Sequence, residues 1–215
     1  MSRSFDHLAQ PYRLLEKLAF GSQLEALRSD GLRHAAAARK ALLIGDGDGR
    51  FAARLLQANP AVRVHSIDIS RRMLDTARRR IRCQCAESAV RYVPIQADAR
   101  RLHLPVGAYD FVALNFMLDC LTSREAATLL RELEQSLVDG GTLVFSDFQV
   151  PESPRLWRAA GGSIVRLLYL FFAAAAGVEN RALPHITWPA GLLLRCRYHR
   201  LGGLLVGEVR RKAGP

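Results

Sequence analysis

The chain contains no apolar run long enough to cross a bilayer. Its most apolar stretch, residues 164–178, is interrupted by Arg166 and falls short of the roughly 20 residues a spanning helix needs. It reads as a soluble or interfacial helix. The opening residues, Met1-Ser2-Arg3-Ser4-Phe5-Asp6-His7, carry no apolar region of the kind a secretory leader has, so a cytoplasmic protein is expected. There are only four cysteines: Cys83, Cys85, Cys120 and Cys196. Cys83-Gln84-Cys85 has a one-residue spacing where thioredoxin-like and zinc sites use two, so free thiols and no metal are expected. Lysine is nearly missing: Lys17, Lys40 and Lys212 are the only three among 31 basic residues. The sequence also shows no helix-turn-helix pattern, no zinc-finger spacing and no RNA-binding aromatic signature. The net charge of +11 therefore does not by itself indicate a nucleic-acid partner, and none is expected. Arginines scattered over solvated faces account for the charge as well, and peripheral contact with an anionic membrane surface stays open.

What is present suits one soluble domain with a real core. The chain has 215 residues, 49% hydrophobic and 24% charged, with no internal repeat or dividing linker. Apolar positions at helical spacing over residues 5–36 (Leu8, Tyr12, Leu15, Leu18, then Leu24, Leu27 and Leu32) predict two helices before the first strand. Strands are expected at 40–45, 62–68, 90–96, 109–115 and 140–147, and helices at 48–58, 70–82, 123–137 and 153–177. This alternation predicts a parallel sheet covered by helices on both faces. Asn59-Pro60, Leu104-Pro105 and Asp139-Gly140-Gly141 mark turns. Two apolar runs, 192–200 and 204–211, flank Gly202-Gly203, which predicts a closing antiparallel hairpin with a tight two-residue turn.

The informative segment lies between the first strand and first core helix: Ala41-Leu42-Leu43-Ile44-Gly45-Asp46-Gly47-Asp48-Gly49-Arg50-Phe51. Glycines there let the backbone approach a ligand without a Cβ in the way. Twenty-three residues beyond Gly45, the second strand ends at Asp68, whose carboxylate can accept both hydroxyls of a ribose. The third glycine falls at Gly49, one place before the position the dinucleotide fingerprint requires, and no Lys-Ser/Thr pair follows. A pyrophosphate is thus disfavoured, and Asp46 and Asp48 suit a ligand bearing positive charge instead. A plain glycine turn with solvated Asp caps competes for the loop taken alone.

Taken together, these residues resemble the class I S-adenosylmethionine-dependent methyltransferases, in the broad group similar to the quinone-biosynthesis C-methyltransferases, from Phe5 to about Lys212. Leu42-Leu43-Ile44-Gly45-Asp46-Gly47-Asp48-Gly49 is similar to the family's first motif. Ser66-Ile67-Asp68-Ile69-Ser70-Arg71-Arg72-Met73-Leu74 resembles the second, and Gln96-Ala97-Asp98-Ala99 the third. Tyr109-Asp110-Phe111-Val112-Ala113-Leu114-Asn115-Phe116 looks like the fourth strand, and residues 137–144 like the run into the fifth. The resemblance implies an α/β fold: a Rossmann-like, doubly wound, mostly parallel seven-stranded sheet ending in an antiparallel hairpin. It implies one domain over 1–215, with a helical cover (1–38), a cofactor-binding core (39–150), a helical lid (151–190) and the hairpin (191–215). The cofactor would be S-adenosylmethionine, held by Gly45, Asp46, Gly47, Gly49, Asp68, Ile69, Met73, Ala97, Asp98, Ala99, Asn115 and Phe116. Many members carry an acid two residues before the first glycine. Leu43 stands there in this chain, and Asp46, Asp48 or a loop water is left to replace it.

A sulfonium methyl is already activated, so transfer needs orientation, a dry pocket and, for an unionised acceptor, a base. Tyr12, Asp119, Asp147 and His185 are the candidate bases or acceptor-orienting groups, each with a core, cap or surface role as its plainer alternative. The apolar segment Leu167-Leu168-Tyr169-Leu170-Phe171-Phe172, near Arg155, Arg158 and Arg166, points to a hydrophobic small-molecule acceptor (quinone-, phenol- or lipid-like), though simple helix packing explains it equally. Phe116 could stack on a planar acceptor. Three other functions compete: a nicotinamide oxidoreductase, an RNA methyltransferase, and a non-catalytic module of the same fold at a membrane. Asn115-Phe116-Met117-Leu118 after the fourth strand does not resemble the Asn-Pro-Pro-Tyr run of base N-methylation.

Overall fold

The computed structural model describes residues 22–149 and 184–214. The first expected helix, Tyr12 and the lid helix of 153–177 lie outside them. Within them the chain runs α1 (Gln23–Leu32), β1 (Lys40–Ile44), α2 (Arg50–Ala58), β2 (Arg63–Asp68), α3 (Arg71–Gln84), β3 (Tyr92–Gln96), β4 (Tyr109–Asn115), α4 (Ser123–Ser136), β5 (Leu137–Phe148), β6 (Leu192–Arg200) and β7 (Leu205–Lys212). The seven strands form one sheet in the order β3-β2-β1-β4-β5-β7-β6. The first five are parallel, and β7 runs antiparallel between β5 and β6.

Both faces of the sheet are covered, which is why its central strands are continuous apolar runs. On one face Leu43, Val64, Phe111 and Ala113 pack under Phe51, Leu55 and Leu56 of α2 and Ala77 and Ile81 of α3. On the other, Leu42, Ile44, Val112, Leu114 and Phe145 meet Ala126, Leu129, Leu130 and Leu133 of α4. Each such fully buried Leu or Phe contributes roughly 1.5–3 kcal/mol. A third cluster, Leu24, Leu27, Phe148, Leu204 and Leu205, seats α1 at the β5–β7 end. Helix starts follow local chemistry. Ser70 accepts from the Met73 N–H at 3.2 Å to open α3, and Thr122 and Glu125 form a reciprocal capping box on α4.

Two expectations are corrected. Asp139-Gly140-Gly141 is not a turn ahead of the fifth strand. Leu137 pairs with Tyr109 and Thr142 with Phe111, so residues 138–141 bulge out opposite Asp110 inside a longer strand, with Gly140 at φ 71°. The closing hairpin exists, but its turn is wider than two residues. Arg200 pairs with Leu205, leaving residues 201–204 as the loop, with positive φ at Leu201, Gly202 and Gly203. The extra length lets Leu204 bury itself against α1 instead of lying on the exposed edge.

Candidate functional site

The sheet order reverses at β1: the chain moves outward through β2 and β3, then returns to place β4 on the other side. Connections that depart in opposite directions open a crevice at the carboxyl ends of the strands. The glycine loop, the end of β2, the β3 turn and the end of β4 all border it.

All three loop glycines have positive φ, 69° at Gly45, 59° at Gly47 and 78° at Gly49, but each is required for a different reason. A Cβ on Gly45 would stand 2.7 Å from Met117 Cγ. One on Gly49 would meet Ala77 of α3, at 2.5 Å from its Cβ and 2.7 Å from its Cα. A Cβ on Gly47 would have nothing within 4 Å: this residue faces the open crevice. Gly45 and Gly49 thus close the fold around the loop, and Gly47 leaves its backbone uncovered.

Asp68, half-buried at the end of β2, is braced on both oxygens. It accepts from the Ser70 N–H at 2.8 Å and from the Gly47 N–H at 3.3 Å. The same carboxylate therefore links the loop to the N-terminus of α3. Beside it, Ile69 is exposed, Met73 is half-exposed, and the Ala97 N–H bonds the Asp68 carbonyl at 3.1 Å. Asp98 caps the single turn Ala99–Arg101 and is gripped by the Arg100 guanidinium at 2.6 Å. Those bonds hold its carboxyl below the usual range. Asn115 is buried where β4 ends. Phe116 follows with φ 55°, its N–H bonded to the Ser146 carbonyl at 2.7 Å and its ring 5.3 Å from that of Phe148. A non-glycine residue at positive φ is sparsely populated and persists where its surroundings hold it.

The two loop acids do not do what the charge pattern suggested. Asp48 is buried in ion pairs with Arg80 at 2.8 Å and Arg50 at 3.1 Å. Asp46 accepts from the Ala52 and Phe51 N–H groups at 2.9 and 3.3 Å, capping α2. Burial pushes its carboxyl up to about 7, against the pull of those donors and of Arg28. Both carboxylates are thus committed to the protein, and the loop does not offer a ligand two anions. Among the described residues, Arg28 of α1 is a cation near this end of the crevice. Its side chain is 12% exposed, and its guanidinium lies 4.8 Å from the centre of the Phe116 ring. Sequence reasoning missed it, although a signal was there: Arg28 falls four residues after Leu24 on the helix stripe that otherwise packs inward.

Residues 41–141 match the family described as the methyltransferase domain. The malonyl-[acyl-carrier protein] O-methyltransferase of Paenibacillus sp. (strain JDR-2) is 27% identical over 109 residues, which make up 51% of this chain and 38% of that protein. The chain so spans well under half of that curated relative. An O-methyltransferase family protein from Burkholderia thailandensis has the same fold, with a TM-score of 0.65 at 20% identity over 98% of this chain and 57% of that one. N-methyltransferase NodS from Bradyrhizobium japonicum WM9, solved with S-adenosyl-L-homocysteine, gives a TM-score of 0.58 at 16% identity, over 89% of this chain and 88% of that one. Residues 41–141 thus resemble a methyltransferase domain, and the fold is one that solved methyltransferases share.

The candidate bases separate into two places. Asp119 and Asp147 come together although they are 28 positions apart in the sequence. Asp147 accepts from the Asp119 N–H at 3.2 Å and from the Phe148 N–H at 2.8 Å, and both acids are buried. Burial raises the Asp119 carboxyl to about 6. The Asp147 carboxyl is raised well above the ordinary carboxylate range, by burial first and by the neighbouring acid second. His185 is exposed and stands apart. Its N–H bonds the Ser123 hydroxyl at the start of α4 at 2.9 Å, and its Nδ1 lies 3.4 Å from the Thr187 hydroxyl. Among the described residues no helix is long and apolar enough to cross a membrane, and no group of three or more His, Cys, Asp or Glu residues is placed to hold a metal.

Proposed function

We propose that this protein transfers a methyl group from S-adenosylmethionine to a hydrophobic small molecule. The observation that carries the reading is the pairing of Gly47, whose missing Cβ faces the open crevice, with Asp68, whose carboxylate is braced at the end of β2. The residues fit the cofactor. Asp68 suits a ribose diol, the apolar sides of Ile69 and Met73 suit an adenine, and the Ala97–Asp98 backbone borders the same space. The bare backbone at Gly47 and the end of β4 leave room for the amino-acid portion. S-adenosylmethionine supplies an electrophilic methyl carbon on a sulfonium, so the protein's work is orientation and exclusion of water.

Phe116 and Phe148 form an apolar wall at the end of the crevice bordered by β4 and β5, which suits a flat or greasy acceptor. An acceptor O–H must lose its proton as the oxygen–methyl bond forms and the carbon–sulfur bond breaks. Asp119, whose carboxyl is raised to about 6, is ionised at neutral pH and basic enough to take that proton. Asp147 beside it has its carboxyl raised well above the ordinary carboxylate range by burial and by the Asp119 charge, so the two acids titrate as a pair. The Paenibacillus relative is named for a malonyl-carrier substrate, so carboxylic acids and carrier-bound acyl groups belong in the acceptor screen beside phenols, quinones and lipids.

Calorimetric titration with S-adenosylmethionine and S-adenosylhomocysteine tests the cofactor, and transfer of a labelled methyl group tests the acceptor. Saturable binding of both cofactor forms, followed by label transfer to an apolar acceptor, is expected. Absence of binding at millimolar ligand refutes the reading.

A further inference from the structure

We propose that Cys196, His34 and Tyr198 form a binding site for a zinc-class divalent cation at the far edge of the sheet. The site is separate from the crevice. β6 is the outermost strand, beyond β5 and β7, and the inference stands whether or not the crevice takes S-adenosylmethionine.

The three side chains come from distant parts of the chain. His34 sits in the single turn Arg33–Ala35 that follows α1. Cys196 and Tyr198 are two residues apart on β6 and so share one of its faces. Gly207 of β7 lets these segments meet. It pairs with Tyr198, and a Cβ on it would stand 2.8 Å from Leu27 Cδ1 of α1. Lacking that Cβ, β7 admits α1 directly, and the turn after α1 arrives at β6 with its Ala35 buried.

Three donor atoms converge there. His34 Nε2 lies 3.0 Å from the Tyr198 hydroxyl and 3.9 Å from Cys196 Sγ, and the thiol donates to the hydroxyl at 3.4 Å. A tetrahedral Zn2+, with bonds of about 2.3 Å to sulfur, 2.0–2.1 Å to nitrogen and 2.0–2.2 Å to oxygen, holds its ligand atoms about 3.3–3.6 Å apart. The triangle in this protein departs from that by roughly 0.4 Å at most on any edge, so small rotations of the side chains seat one ion among all three. Thiolate and imidazole are the ligand types such an ion prefers. The phenol, a weaker acid than the thiol, is the lesser third donor. It also makes the cluster distinct from a group of three His, Cys, Asp or Glu residues, of which the described residues hold none. His34 is exposed and Cys196 and Tyr198 are half-buried, so an ion reaches them from solvent. At the Tyr198 hydroxyl the charge of Asp30 offsets that of Arg33. On binding, the Cys196 S–H bond breaks as the sulfur–metal bond forms, the proton leaves to solvent, and neutral His34 coordinates through Nε2.

The plainer alternative is a hydrogen-bond cluster that only ties the turn to β6. Calorimetry with Zn2+ and the ultraviolet thiolate-to-metal charge-transfer band with Cd2+ separate the two, using the full chain freed of metal by a chelator. The wild type is expected to bind Zn2+ saturably with release of about one proton and to develop the Cd2+ band. Cys196→Ser should remove the band and weaken Zn2+ at least about 100-fold, His34→Gln should weaken it about tenfold or more, and Tyr198→Phe should weaken it least. Replacing Cys83 and Cys85 by serine should leave both signals in place. Absence of saturable Zn2+ binding, survival of the band in Cys196→Ser, its loss with Cys83 and Cys85, or undiminished Zn2+ affinity in His34→Gln overturns the site. Should the Cys196 and His34 variants not fold, the wild type decides. Saturating Zn2+ should slow alkylation of Cys196 at least about tenfold and leave the exposed Cys83 at its metal-free rate; an unchanged rate at Cys196, or equal protection of both, overturns it.

Discussion

Gly47 and Gly49 lie two residues apart in one loop, both at positive φ, yet replacing each by alanine should damage different properties. Gly47→Ala adds a methyl group where nothing lies within 4 Å. Its stability cost is the left-handed backbone strain alone, about 1–2 kcal/mol. For a chain of this size, each kcal/mol corresponds to about 2–4 °C in Tm. The added methyl would stand in the crevice, so S-adenosylhomocysteine should bind at least about tenfold more weakly, ~1.4 kcal/mol. Gly49→Ala suffers comparable strain, and its Cβ would also lie 2.5 Å from Ala77 Cβ and 2.7 Å from Ala77 Cα. Backbone on α3 cannot yield as a flexible side chain can, so overpacking brings the total to about 2–5 kcal/mol. Urea unfolding and calorimetry on the same preparations separate the effects. Gly47→Ala should lose affinity disproportionately to stability, and Gly49→Ala should lose stability first. Unchanged S-adenosylhomocysteine affinity in Gly47→Ala would show that the ligand does not cross the bare backbone there, and the crevice assignment would fall with it.

Asp68→Ala removes a carboxylate that braces the loop and is assigned to the ribose; calorimetry should show S-adenosylhomocysteine affinity weakened by ~1–3 kcal/mol, and unchanged affinity removes Asp68 from the site. The Asp119 carboxyl rises from 3.8 to about 6 on folding, so its contribution to stability is fully present below pH 3.8 and is lost as pH rises through 6. Relative to Asp119→Asn, wild-type stability should fall by about 2 kcal/mol between pH 4 and 7; urea titrations at several pH values check this, and parallel profiles for the two proteins would refute it. Thr122→Ala breaks the capping box on α4 and should cost about 0.5–2 kcal/mol without altering S-adenosylhomocysteine affinity; a loss of affinity would tie this helix start to the ligand.

Much of the fold was legible because its signals are local. Strand starts at Lys40, Arg63, Tyr92 and Tyr109 lie close to where apolar runs begin, and α3 opens on a Ser that can cap it. The misses came where packing overrode a local turn signal. Asp139-Gly140-Gly141 became a bulge because Leu137 found a partner in Tyr109. The loop of residues 201–204 widened because Leu204 had a core to enter. In the site, Gly45, Gly47, Gly49 and Asp68 could be located from spacing, since a strand, a turn and a helix within about 30 residues make their own geometry. The partners of the acids could not. Arg80, which pairs with Asp48, lies 32 residues away, and no spacing rule links them.

The sequence by itself determined the alternation of strands and helices, the glycine loop between the first strand and its helix, and the acid that ends the second strand, because backbone preference and apolar period act over a few residues. Tertiary structure alone decided the electrostatics of the crevice. It drew Asp48 to Arg80, set Asp46 on a helix end, brought Asp119 against Asp147 and placed Arg28 beside Phe116. Charge acts through space, and which charges meet depends on how distant segments of the chain pack.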